Sequence, residues 1–394
     1  MRLLWIATKS PWPPADGGRL LLLESLKAIS AAGAEISLVA PALPGEISAA
    51  AAALSPIARP ILIPARRRSR SVALAMSLLG PRPWTLVRHD SAVLRAAVAG
   101  QVAAGRFDLV IAEQLQAFAQ CAPAATAGIP VLLRAQNVES SLWRQAAAGR
   151  RGVARAMLAR ESRRLALAEG QAMRRAAATV ALSREDAALL RALAPAANVE
   201  LLPPPFPREL PARSSSFAGT PAVVLFGSAD WEPNRLAEAR FARLTWPRVR
   251  ERLPGAVLHR FGGAPANDPS IERHPPLAES IEAFAAGSVM VIPLGIASGV
   301  RMGVLEAWAR GVPVVASPAA AAGLEVEDGR ELLLARSDEE QVTAIALLAS
   351  DSVLRERLAQ GGRARLAADH DPEQFARRWL ALCAGIGVRG EPAR

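Results

Sequence analysis

The stretch Ile292–Ser317, IPLGIASGVRMGVLEAWARGVPVVAS, constrains the fold more than any other. It reads as strand, glycine turn, helix, glycine stop, strand. Val289–Leu294 is an apolar run that ends in a turn. Ser298-Gly299 then opens a helix of about three turns, which Gly311 and Pro313 close. Val314-Val315-Ala316 starts the next buried strand. In a parallel sheet this arrangement puts the backbone N–H groups of Gly299–Met302 at the carboxyl end of a strand. Reinforced by the helix dipole, such groups form an anion site. Glu306 falls on one helix face with Met302, Gly303 and Arg310. A carboxylate there is placed to accept hydrogen bonds from ribose hydroxyls. An ordinary βαβ unit with a solvated Glu fits the same pattern.

The chain has 394 residues, enough for two domains. Strands are predicted at Arg2–Thr8, Glu35–Ala40, Pro60–Ala65, Asp108–Glu113, Pro130–Ala135, Thr179–Ser183 and Val199–Leu202. Helices are predicted at Leu20–Ala32, over an Arg-rich region from about Ser141 to Ala177, and at Arg184–Ala194. Pro203–Gly219 is rich in Pro and Ser and reads as a linker. A second series follows, with strands at Ala222–Gly227, Ala256–Phe261, Ile271–His274 and Leu332–Ala335 and a helix at Asn234–Arg252. Further helices are predicted at Glu279–Ala285 and near Glu339–Leu348, Val353–Ala368 and Pro372–Leu382. Strand–helix alternation on both sides of a linker predicts an α/β protein of two doubly wound, Rossmann-like parallel-sheet domains. The expected division is 1–205, a linker 206–220, 221–370, and a last helix within 371–394 that packs back on the first domain.

Composition narrows the function. The chain is 51% hydrophobic, yet no run of apolar residues is long enough to span a bilayer. The opening MRLLWIATKSPW lacks a signal-peptide pattern and reads as a first strand. Cys121 and Cys383 lie far apart with no framework spacing, which fits a reducing cytoplasm. His89, His259, His274 and His370 are scattered, so no metal site is expected. The net charge of +11 is almost all arginine, with lysine only at Lys9 and Lys27. Such a balance favours anionic partners. No nucleic-acid motif stands out, and the absence of tyrosine argues against base-stacking platforms.

Four segments in order resemble a GT-B glycosyltransferase, specifically retaining glycosyltransferase family four. PPADGGRLLLLESLKAISAAGAEISLVAP is similar to the family's glycine loop, helix and second strand. RAQNVESSLWRQ resembles the HNVES-type stretch of bacterial exopolysaccharide sugar transferases, FGSADWEPNRLAEARF their second-domain opening, and SGVRMGVLEAWARGVPVVAS the donor-binding helix. The subgroup most similar is the sugar transferases of exosortase (PEP-CTERM) and exopolysaccharide systems. The resemblance implies two domains facing a cleft and a hexosyltransferase-like, retaining reaction. The donor would be a UDP- or GDP-sugar, the acceptor a glycan or lipid-linked sugar, and no cofactor or metal would be required.

Residue by residue, the resemblance implies that Glu306 holds the ribose, and that Arg301 with the backbone of Gly299, Val300 and Met302 holds the diphosphate. Gly17 and Gly18 would let backbone approach the donor or acceptor. Ser228, Arg235, Gly262, Ser298 and Gly303 fall on the donor side, and Asp16, Arg19, Asn137 and Glu139 on the acceptor side. Gln136 stands where the family has a catalytic His. Ser298 replaces a family Glu and Gly303 a family Lys, so a degenerate GT-B protein that binds without turnover is the competing reading, and a GT-B sugar-nucleotide epimerase a third. Asp230-x-Glu232 resembles a metal-binding pair but reads better as turn chemistry. Arg66–Arg70 and the arginines from Arg144 to Arg164 suit either a solvated face or peripheral contact with anionic lipid at the inner face of the plasma membrane.

Overall fold

The computed structural model describes residues 1–65, 68–227, 231–262, 268–277 and 279–389. Its frame is two parallel sheets. The first holds β1 (Arg2–Ile6), β2 (Glu35–Ala42), β3 (Arg59–Pro64), β4 (Leu109–Glu113), β5 (Val131–Ala135), β6 (Ala178–Ala181) and β7 (Val199–Leu201), in the order β3-β2-β1-β4-β5-β6-β7. The second holds β8 (Ala222–Leu225), β9 (Val257–Phe261), β10 (Ile271–His274), β11 (Val289–Ile292), β12 (Val314–Ala316) and β13 (Leu333–Leu334), in the order β10-β9-β8-β11-β12-β13. Every pairing is parallel. The central strands β1, β4, β8 and β11 are apolar runs because helices cover both their faces, the condition under which parallel sheets occur. In each sheet the strand order reverses beside the first strand, where doubly wound sheets open a crevice at their carboxyl ends.

The last helix, Pro372–Arg389, does not stay with the second sheet. It packs on helix Gly17–Ala31, and Trp379 stacks on Trp5 of β1 at 5.1 Å between ring centroids. The Arg134 guanidinium of β5 lies near both rings and bonds Glu113 at 3.2 Å and Ser25 at 2.8 Å. His370 accepts the Phe206 N–H on its carbonyl, and its ring Nδ1 meets the Pro204 carbonyl, so the two crossings between domains lie side by side.

Among the element boundaries that differ from expectation are these three. The Arg-rich region is two helices, Glu139–Ala148 and Gly152–Arg175, because the chain turns at Gly149–Arg151 and Gly152 takes φ +58°. The helix after β8 begins at Glu232 and passes through a π-helical turn, Phe241–Thr245, just before Pro247. The helix after β11 is Met302–Ala309, about two turns, and it starts after Arg301 rather than at Ser298. Gly311, at φ +69°, closes it.

Candidate functional site

The carboxyl-end loops of the two sheets meet. After β1, Gly17 lies so near helix Met302–Ala309 that a Cβ there would stand 3.4 Å from Met302, and one on Gly18 would stand 2.9 Å from the Gln136 side-chain oxygen. After β11, Gly299 takes φ +74°, and a Cβ there would come within 2.1 Å of the Gln136 carbonyl. Of the three, Gly299 is required by the close approach of the two domains to each other, since its Cβ would strike backbone at a positive φ.

Glu306 is buried, on the second turn of its helix. Its Oε1 accepts from the Ser280 hydroxyl at 2.5 Å and from Arg310 Nη2 at 2.7 Å and Nε at 3.1 Å. Oε2 is buried with no partner among the described residues. Burial pushes its carboxyl above the usual range, against the bonds from Ser280 and Arg310 that favour the charged form. Arg301 is partly buried, bonds the Ser298 carbonyl and lies over the Trp231 ring at 5.4 Å. Burial draws its guanidinium down to about 10, partly offset by the nearby Asp186 charge, so it stays cationic at neutral pH.

The Gly299 amide is already taken, which corrects the expectation of a free cradle there. It donates to Asp186 Oδ2 at 3.0 Å, and the Ser298 hydroxyl donates to Asp186 Oδ1 at 2.9 Å. Ser298 Oγ also accepts from the Val138 N–H at 2.8 Å. Asp186 belongs to helix Arg184–Leu193, where Ser183 caps the first turn. A carboxylate of the first domain thus occupies the place proposed for a donor phosphate. Ser298, expected to open the helix and to lie on the donor side, is a domain clasp. Asn137 joins it: with its amide oriented to satisfy its neighbours, Nδ2 donates to the Ser298 carbonyl at 2.8 Å. Gln145 completes the clasp through both backbone groups of Ala297.

Gln136 is buried and committed at both ends of its amide. Its nitrogen donates to Glu113 at 2.7 Å and to the Gly18 carbonyl at 3.4 Å, and its oxygen accepts from Gln114 at 2.5 Å. Gln114 adopts φ +73° to reach it. Asp16 caps helix Gly17–Ala31 and is bridged by Lys9 at 2.7 Å and Arg19 at 3.4 Å. Its carboxyl lies below the usual range: burial pushes it up, and Lys9, the Arg19 N–H and the Arg19 charge more than offset that. Arg19 also bonds the Pro13 carbonyl. Glu139 opens helix Glu139–Ala148 and is raised by burial, with a bond from Gln116 opposing. It faces Glu169, whose carboxyl burial pushes up to about 7. Val300 and Met302 are buried apolar packing.

Other expected donor contacts fall elsewhere. A Cβ on Gly303 would stand 2.7 Å from the Phe226 ring, which fills the space a lysine there would need. Gly262, at φ +76°, spends its N–H on the His274 carbonyl and its carbonyl on Arg273, because the turn must be pinned between β9 and β10. Arg235 is exposed on helix Glu232–Arg240. Ser228, Asp230, Arg66 and Arg67 lie outside the described residues.

Contrary to the scattered reading of the histidines, His259 and His274 meet, with Glu272 beside them. His259 Nδ1 is 3.0 Å from His274 Nε2, and His259 Nε2 bonds the Ala218 carbonyl at 2.9 Å. The ring centroids are 5.2 Å apart, so the rings meet nearly end to end. That is the geometry of an N–H···N bond. Metal ligands turn their lone pairs towards a common point off that line.

Sequence reasoning missed Asp186, Ser280, Lys9 and Phe226. Ser183-x-x-Asp186 is a capping pattern that was visible, though nothing local announces its second partner. Phe226 has no sequence signal.

Two family models match in order. Residues 17–205 match the glycosyl transferase 4-like domain and residues 234–381 the glycosyl transferase-like domain. The chain is a GT-B protein built of two glycosyltransferase-like domains. Among solved structures it is similar to sucrose-phosphate synthase from Thermosynechococcus elongatus, at a TM-score of 0.70 and 15% identity over 99% of this chain and 100% of that one. It is similar to Anabaena HepE in complex with UDP-glucose, at 0.68 and 15% over 98% and 100%. It is also similar to WaaG, a glycosyltransferase involved in lipopolysaccharide biosynthesis, at 0.65 and 14% over 97% and 100%. No curated protein matches it in sequence.

Proposed function

We propose that the chain transfers a sugar from a nucleoside-diphosphate sugar to a glycan or lipid-linked acceptor, in exopolysaccharide or cell-envelope synthesis. Within that reading it is a hexosyltransferase-like member of family four acting with retention, and its donor carries UDP or GDP. The observation that carries the proposal is Glu306: one carboxylate oxygen fixed by Ser280 and Arg310, the other buried without a partner, one turn inside a helix at the carboxyl end of β11. A buried orphan acceptor is costly unless a ligand donates to it, and ribose hydroxyls are such donors. The HepE complex with UDP-glucose supports the choice of donor class.

Arg301 and the first-turn amides of Met302 and Gly303 stabilise the diphosphate as the glycosidic bond breaks and charge moves onto it. Asp186 must release Gly299 before that amide can join them. Donor binding is therefore coupled to loosening of the clasp. Gln136, Asn137, Asp16, Arg19 and Glu139 shape the acceptor side by holding the loops after β1 and β5, and Gln136 takes no proton at neutral pH. Isothermal titration with UDP, GDP and ADP tests the base, and donor hydrolysis tests turnover. No binding of any nucleotide would remove the reading. Binding without turnover across donors would establish the second reading, a nucleotide-sugar-binding protein, which the Phe226 ring over Gly303 favours.

A further inference from the structure

Helix Arg70–Leu79 buries only Ala73 and Ser77. Val72, Leu74, Met76, Leu78 and Leu79 face solvent, Leu79 at 91% exposure. At 100° per residue Ala73 and Ser77 form one narrow stripe, so nearly all of the remaining circumference is apolar. The helix is held by its ends and by polar contacts: Ser69 caps it, and Arg164 donates to Ser77 Oγ at 3.0 Å and to the Gly80 carbonyl at 2.6 Å. Arg164 belongs to helix Gly152–Arg175, which therefore touches the C-terminal end of the short helix. That second helix exposes Val153, at 76%, and Met157. Its two carboxylates, Glu161 and Glu169, are buried, while Arg155, Arg160 and Arg163 are exposed, as is Arg151 just before it. The surface is thus apolar along one short helix, and the helix that touches it carries Arg160 and Arg163 near the contact and no exposed carboxylate.

We infer that this face docks peripherally on an anionic lipid bilayer, with the apolar side chains of helix Arg70–Leu79 entering the interface and the arginines of the second helix meeting headgroup phosphates. The charge carries the choice of occupant. Five large apolar side chains on one short helix suit the boundary between headgroups and acyl chains, and exposed cations near them suit a negative surface. No helix among the described residues is long and apolar enough to cross a membrane, so the contact is one of surface docking. The inference stands on this surface alone and does not need the transferase reading.

The test is sedimentation of the full chain with vesicles of mixed phosphatidylglycerol and phosphatidylcholine, against vesicles of phosphatidylcholine alone, at low and high salt. Retention on the anionic vesicles, release by salt and weak retention on neutral ones are expected. Leu78→Ser/Leu79→Ser should weaken vesicle binding about tenfold or more for each leucine inserted. Arg160→Glu/Arg163→Glu should weaken it about fivefold or more per position. UDP titration without vesicles should be the same in both variants as in the parent chain, which separates this outcome from any failure of the donor site. The inference is overturned if the parent chain ignores anionic vesicles, or if both variants bind as the parent does. It is equally overturned if sedimentation velocity shows a dimer that the leucine variant dissolves, since the face would then cover a second copy.

Discussion

Replacing Glu306 by Gln probes the proposed donor site with the least collateral damage. Glu306→Ala would leave Arg310, whose side chain is 7% exposed, as a buried cation without its counterion. Stranding a buried charge costs roughly 3–5 kcal/mol, enough to blur binding with unfolding. Glu306→Gln keeps an oxygen for Ser280 and Arg310, and puts an NH₂ where the unpartnered Oε2 lies. That group donates, so a ribose hydroxyl loses a charged acceptor. A hydrogen bond to a charged group is worth about 1.5–3 kcal/mol, so UDP affinity should fall about 10- to 150-fold. The free carboxyl is already raised by burial, so removing its charge should lower the stability of the unliganded protein by less than the alanine change does. Calorimetric titration with UDP, alongside denaturant unfolding of both variants, reads the two effects separately. A folded Glu306→Gln protein that binds UDP as tightly as the parent would refute the ribose assignment, and with it the main support for a nucleotide-sugar donor.

Asp186→Ala frees the Gly299 amide and leaves it and the Ser298 hydroxyl without their acceptor; stability should drop by about 1–3 kcal/mol while UDP binds severalfold tighter, and unchanged or weaker binding in calorimetry would sink the idea that this carboxylate competes with phosphate. Gly299→Ala places a methyl against the Gln136 carbonyl at a φ of +74°; beyond about 1–2 kcal/mol of backbone strain the domains must part, so small-angle scattering should show a larger radius, and an unchanged radius and Tm would contradict the contact. Glu169 has its carboxyl raised from 4.5 to about 7 by burial, so the folded state binds its proton more tightly than the unfolded chain does. Its contribution is fully present below about pH 4.5 and is lost as pH rises through 7, about 3 kcal/mol in all. Glu169→Gln should flatten that part of a denaturant-unfolding profile against pH, and a profile identical to the parent's would exclude the assignment.

The parallel frame was legible because strands covered on both faces are written as unbroken apolar runs, as LLWI and VMVI show in β1 and β11. Glu306 and Arg310 were legible as a pair because the i,i+4 rule is local. The start of helix Met302–Ala309 was not. Ser298 looks like a helix cap, yet its hydroxyl spends itself on Asp186, 112 positions earlier in the chain. The crowding at Gly303 was not legible for the same reason: the Phe226 ring beside it comes from a loop far away in sequence. The arginine clusters were legible as suited to anionic lipid, but the exposure of the apolar side chains on helix Arg70–Leu79 was not, because burial depends on neighbours distant in sequence.

The placement of helix Pro372–Arg389 ties together distant parts of the chain. Trp5 of β1 and its stacking partner Trp379 are separated by both sheets in sequence. Without that helix, the first sheet has an unroofed tryptophan and the Arg134–Glu113 pair is open to water. A fragment ending near residue 205 should therefore be insoluble or loosely packed, and adding the terminal helix as a separate peptide should restore it. The first sheet is roofed by a helix that the chain reaches only after building the second, so neither half is a finished body by itself.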